Sequence, residues 1–166
     1  MIERVRPEVP GWTPPTALQR KSILDRAESI AIVGASSKPG RASNFVATYL
    51  LSSSSDFRVY LVNPQETEIL GQPVYPTLAD LPEIPDIVDV FRKSEDLPEI
   101  ADEAIAVGAK TFWTQLGLWS ADAAERASRA GLDVVMDRCT KIEHARFAGG
   151  LHLAGFDTGV ISSRRR

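Results

Sequence analysis

The sequence predicts an α/β protein built on one doubly wound, parallel sheet. Two patterns carry that expectation: short apolar runs alternate with stretches of helical period, and glycines or capping residues mark the joints. A third observation gives it a place for function. The run 30–33 passes through Gly34 into a loop of small polar residues that leads into a helix.

Residues 1–15 hold Pro7, Pro10, Pro14 and Pro15 with Gly11 and Trp12, the composition of an extended lead-in pinned by its tryptophan. Thr16 can cap a helix over 17–27 with Leu18 and Ile23 or Leu24 facing inward. The run 30–33 is continuously apolar, as in a strand covered on both faces. A helical pattern over 45–51 ends at the serines 52–55, and a second strand, 59–62, stops at Asn63-Pro64. Gly71 precedes a short edge strand over 72–75. The buried run 87–91 follows, with Ser94 as N-cap of a helix whose inner face is Leu97, Ile100, Ala101, Ala104 and Ile105, closed by Gly108. A strand over 111–115, a helix capped by Ser120 and ended at Gly131, a strand over 134–136 and a short helix over 142–147 complete the series. Such alternation implies right-handed crossovers and the strand order 3-2-1-4-5-6. The expected organisation is a lead-in at 1–15, one Rossmann-type domain at 16–150 and a tail at 151–166.

Composition excludes several classes of function. With 166 residues, 43% hydrophobic and 25% charged, the chain reads as one globular domain. A net charge of -3 gives no general basic face, so no nucleic-acid partner is expected, and Arg164 to Arg166 are too few for a duplex site. The apolar runs are too short for a membrane span and the N-terminus has no signal-peptide core. A single cysteine, Cys139, fits a reducing, cytoplasmic setting, and no Cys/His spacing suggests zinc.

Ligands of doubly wound sheets sit beyond the carboxyl ends of the strands, so the candidate residues are those that follow each strand. A dinucleotide fingerprint would place three glycines after the first strand. Here Gly34 is present, Ser36 and Pro39 replace the next two, and Gly40 comes one position late. Helix-start amides with Ser36, Ser37 and Ser43 still suit a pyrophosphate, and Lys38 and Arg41 add charge. An ordinary tight turn would read the same way. The second strand ends in Asn63-Pro64, where an NAD site would carry an acid. A neutral amide there does not repel a ribose phosphate, which leaves NADP and coenzyme A open.

Taken together, IAIVGAS, YLVNP, ILGQPVYPTLADLPE, DIVDVFRKSEDLPEIADEAIAVGAK, FWTQLGL and VVMDRCTKIEH closely resemble the small stand-alone coenzyme A-binding proteins. These are single Rossmann-type domains related to the nucleotide-binding domain of the succinyl-CoA synthetase α subunit. The resemblance runs from about Ile23 to Phe147. It implies that Gly34, Ala35, Ser36, Ser37, Lys38, Pro39, Gly40 and Arg41 wrap the phosphates of coenzyme A or an acyl-CoA. It further implies that Asn63 and Pro64 lie beside the adenosine, that Phe91 and Arg92 flank adenine and pantetheine, and that Trp113, Gln115 and Gly117 form the family's WxQxG run. The catalytic histidine loop of the larger synthetases has no counterpart, so ligase activity is not expected. Two rivals remain: an NADP-dependent oxidoreductase, and a nucleotide-sensing module acting on a protein partner. A homo-oligomer is compatible with a domain of this size.

Other residues weigh less. Trp113 within a strand suits core packing. Cys139, flanked by Arg138 and Lys141, could form a mixed disulfide with coenzyme A, although buried packing is the more ordinary role of a free cysteine. Asp137, Cys139 and His144 lie close in sequence without helical phase to bring them together. His152, in the glycine-rich tail, looks ordinary, and Glu99, Asp102, Asp122 and Glu125 suit a solvated helix surface.

Overall fold

The computed structural model describes residues 5–148. In chain order these form α1 (Ala17–Arg26), β1 (Ser29–Val33), α2 (Ala42–Leu51), β2 (Arg58–Val62), β3 (Glu68–Ile69), β4 (Gln72–Tyr75), β5 (Ile87–Val90), α3 (Leu97–Val107), β6 (Thr111–Thr114), α4 (Ala121–Arg129), β7 (Asp133–Val135) and α5 (Thr140–Ala148). Single 3-10 turns occupy Leu78–Asp80 and Ser94–Asp96. The expectations for the tail, for His152 and for Arg164 to Arg166 fall outside the described residues.

The sheet runs β3-β4-β2-β1-β5-β6-β7. Without β3, the six expected strands stand in the order 3-2-1-4-5-6, every neighbouring pair parallel. The addition is β3, which folds back antiparallel on β4 and takes the edge that 72–75 was expected to hold. Its turn is Leu70-Gly71, with φ of 53° and 74°, the double positive φ of a tight hairpin. Two residues are too few to show any period.

Strands β1, β5 and β6 are buried along their whole length because helices cover both faces. On one face α1, α2 and α5 pack Ile23, Val46, Leu50 and Phe147 against Ile30, Ile32 and Trp113. On the other, α3 and α4 pack Leu97, Ala101 and Ala124 against Val88, Val90 and Phe112. The lead-in closes this second face: Val9 is buried, and Trp12 donates its Nε1–H to the carbonyl of Val134 at 3.0 Å. Trp113 is fully buried and also satisfies its indole N–H, on Arg138 O at 2.8 Å.

Two details correct the sequence reading. Leu18 is 79% exposed. The inner face of α1 is Arg20, Ile23 and Leu24, and Leu18 lies nearly half a turn from Arg20. Ser94 does not cap α3; it opens the preceding 3-10 turn, and its Oγ accepts from the amide of Trp119 at 3.2 Å. By contrast Thr16 and Ser120 cap α1 and α4 through Gln19 and Ala123. Among the described residues no helix is long and apolar enough to cross a membrane.

Candidate functional site

At β1 the chain changes direction across the sheet: β2 lies on one side and β5 on the other. The carboxyl ends of these strands diverge there and leave a crevice. A cleft of about 880 Å³ opens at this point. Of the expected residues, Gly34, Ser36, Ser37, Lys38 and Arg41 line it from the loop after β1. Asn63 and Pro64 line it after β2, Phe91 and Arg92 after β5, and Gln115 after β6. Ala35, Pro39 and Gly40 are not among the lining residues. Ala35 is fully buried, whereas Pro39 and Gly40 are exposed on the outer side of the loop.

The loop is held from several directions. Gly34 has φ of 87°, and a Cβ there would stand 2.8 Å from the carbonyl oxygen of Phe91. Only glycine lets the β1 and β5 ends approach this closely. The Nδ2–H of Asn63 donates to Ala35 O at 2.7 Å while its Oδ1 accepts from the amide of Gln65 at 2.8 Å. Asn63 therefore ties two loops together, and both ends of its amide are engaged. Asn44, buried in α2, donates to Ser36 O at 3.0 Å. Ser36 Oγ accepts from the amide of Lys38 at 3.1 Å. Beyond this loop α2 begins, with Ala42 and Ser43 facing the cleft. Their amides have no carbonyl one turn earlier to bond, and they carry the positive end of the helix dipole.

Four basic side chains line the cleft, Lys38, Arg41, Arg92 and Lys93, against one acid, Glu66. Arg92 is half exposed and pairs with Asp96 at 3.3 Å. Glu66 reaches across from the loop after β2 and accepts from the amide of Ser37 at 3.0 Å. Hydrogen bonds from the Ser37 hydroxyl and then its amide, with Lys38 nearby, hold this carboxyl below its ordinary range. The sequence reading assigned Glu66 no role because it weighed only the residue at the strand end, and the acid lies three positions later. Lys93 and Leu118 were also missed, and Leu116 lay within the expected stretch 115–117 without a role of its own; no period or motif marks a loop side chain as facing a cleft.

The WxQxG run divides in function. Trp113 belongs to the core, Gln115 faces the cleft, and Gly117 donates its amide to Asp137 Oδ1 at 2.6 Å. Asp137, at φ of 60°, also pairs with Arg6 at 3.1 Å, and Arg6 lies over the ring of Trp119 at 5.2 Å. The lead-in thus braces the loop that forms one wall of the cleft. Cys139 is half-buried behind this wall, its Sγ 3.9 Å from Gln115 Nε2. His144 bonds Tyr49 through Nδ1 at 2.9 Å and burial lowers its pKa. Asp137, Cys139 and His144 thus have separate partners and form no nucleophilic set.

A family model described as a CoA binding domain matches residues 28–145, which take in every lining residue of the cleft. The uncharacterized protein YneT of Bacillus subtilis is 37% identical over 131 residues, 79% of this chain and 96% of its own. A hypothetical protein from Pyrococcus horikoshii OT3 is similar in structure, with a TM-score of 0.76, 40% identity, and coverage of 89% of this chain and 100% of that one. Acetate–CoA ligase (ADP-forming) I of Archaeoglobus fulgidus is 28% identical over 120 residues, 66% of this chain but only 17% of that enzyme. With a match that spans both flanks of the cleft, this chain belongs to the CoA-binding domain family.

Proposed function

We propose that the cleft binds coenzyme A or an acyl-CoA, and that the domain holds this ligand in a non-catalytic or regulatory role. The observation that carries the reading is the concentration of anion-binding groups at the switch point. The first amides of α2, the hydroxyls of Ser36 and Ser37, and the cations Lys38, Arg41, Arg92 and Lys93 converge on one cleft in a chain whose net charge is -3. Coenzyme A is rich in phosphate at its nucleotide end and apolar or thiol-bearing at the other. The basic loop suits the first end, and Phe91, Leu116 and Leu118 suit the second. The cleft volume of about 880 Å³ lies within the usual range for small-molecule sites. Each charge-assisted contact to phosphate contributes on the order of 1.5 to 3 kcal/mol.

In this reading Gly34 lets the ligand lie against backbone, α2 and the serines hold the pyrophosphate, and Arg41 and Arg92 compensate its charge. Asn63 keeps the loop in shape instead of touching the ribose. Isothermal titration with coenzyme A, NADP+ and NAD+ tests the assignment. Saturable binding of coenzyme A at micromolar to low-millimolar concentration, with weaker heats from both dinucleotides, is the expected result. Tighter binding of NADP+ would move the domain to the oxidoreductase reading, and silence with all three would remove the nucleotide.

A further inference from the structure

Glu66 occupies a donor that the phosphate loop would offer its ligand. Its Oε2 accepts from the Ser37 amide at 3.0 Å. Glu66 stands on the loop between β2 and β3, Ser37 on the loop between β1 and α2, and both line the cleft. The carboxylate therefore spans the mouth between the two loops on which the nucleotide end would rest. It is also the sole acid among the residues lining a cleft with four cations. A carboxylate and a phosphate oxygen make the same demand on a backbone N–H. We propose that Glu66 is a built-in anion that closes the phosphate loop and must be displaced by a ligand phosphate.

The rest of the turn allows the movement. Asn63 fixes the start of this loop through Ala35 and Gln65. The hairpin Glu68–Ile69 fixes its end. Glu66 between them is partly exposed and is held at its tip by Ser37. A side-chain rotation frees the amide without unfolding either anchor. Displacement sets a threshold on the ligand, because one phosphate oxygen exchanged for one carboxylate oxygen gains little. A ligand with several phosphates, which also engages Arg41 and Arg92, gains contacts that Glu66 does not make. Glu66 thereby acts as a specificity-determining residue that favours polyanionic ligands over singly charged ones. This inference rests on the proposed phosphate role of the loop.

The test uses inorganic pyrophosphate and coenzyme A as probes, titrated into the full chain and its E66A and E66Q variants, with E68A as a neighbouring acid outside the cleft. A mostly closed latch lowers apparent affinity by the fraction open, so its removal should tighten both probes by about fivefold to tenfold. E66Q should fall between wild type and E66A, since its amide oxygen still accepts from Ser37 but without charge. E68A should leave both affinities within about twofold, the ordinary effect of a solvent-exposed charge outside the cleft. Unchanged affinity in E66A overturns the proposal, as does weaker coenzyme A binding with pyrophosphate unaltered, which would place Glu66 on a ribose. The two failures separate cleanly. Wild-type coenzyme A binding without a gain in E66A sinks the latch alone. A gain for pyrophosphate without any coenzyme A binding keeps the latch and sinks the coenzyme A reading. No binding of either probe to any variant sinks both.

Discussion

Asp89 lies on β5 beside Ile32 of β1 and Trp113 of β6, and is fully buried. Its Oδ2 accepts from the Thr140 hydroxyl at 2.7 Å, and its Oδ1 has no partner among the described residues. Burial pushes the carboxyl up to about 8, against the smaller opposing effect of the Thr140 bond. The native protein therefore keeps a proton that the unfolded chain releases near pH 4. The stability tied to that proton is whole below about pH 4 and is lost as the pH rises through about 8. Asp89→Asn keeps a neutral partner for Thr140 and removes the titration. Urea unfolding should show the variant gaining on wild type by up to about 3 kcal/mol between pH 5 and pH 7.5, near 1.4 kcal/mol per pH unit. An equal gap at the two pH values would mean that Asp89 is already ionised in the native state. The sequence hid this residue for a physical reason. A strand covered on both faces has no polar side, so one acid in IVDVF reads as noise within an apolar run.

Helices α1 and α5 are joined by Arg20 and Glu143, 123 positions apart in the chain. Their side chains are 7% and 2% exposed. Arg20 donates through Nε to Glu143 and through a terminal nitrogen to Pro15 O at 2.8 Å. The same pair thus ties the end of the lead-in, the first helix and the last one. Arginine on an inner helical face contradicts the hydrophobic pattern, which is why the sequence favoured Leu18 for that face. Periodicity ranks residues by apolarity and carries no information about a partner on another helix. Removing Glu143 leaves the buried Arg20 without a counter-charge, at a cost of about 3 to 5 kcal/mol, whereas removing Arg20 leaves Glu143 with its second partner, Arg146, at 3.5 Å. Glu143→Ala should lower the unfolding free energy by about that much, and Arg20→Ala by less, because Arg146 still faces Glu143. The double variant Arg20→Met, Glu143→Leu should recover most of it, because the pair's desolvation penalty vanishes with the pair. A double variant as unstable as the sum of the singles would show that the two side chains act independently.

For the molecule as a whole, alternation of period sufficed to read most of the sheet, because each parallel strand needs a crossover and those after β1, β5 and β6 each carry a helix with a readable face. The six parallel strands and the position of the crevice follow from that. The hairpin of Glu68 and Ile69, the reach of Glu66 and the brace from Arg6 to Gly117 do not, since each depends on where a loop side chain lands after the sheet has formed. The residues after the strand ends were legible as a group, but their division into loop-holders and cleft-facing cations was not. Asn63 and Asn44 bond the loop backbone, whereas Lys38, Arg41, Arg92 and Lys93 line the cleft. This division makes a prediction about charge on the scale of the molecule. The net charge of -3 repels a polyanion at long range, so attraction must come from the local basic cluster and must weaken as salt screens it. Coenzyme A affinity should fall about tenfold between about 0.05 M and about 0.5 M salt. Arg41→Ala and Arg92→Ala, both exposed side chains, should together weaken low-salt binding by more than about tenfold and flatten that dependence. Their melting temperatures should stay near that of wild type, since neither side chain supports the core. If the double variant keeps the wild-type salt slope, the phosphates rest elsewhere than between the ends of β1 and β5.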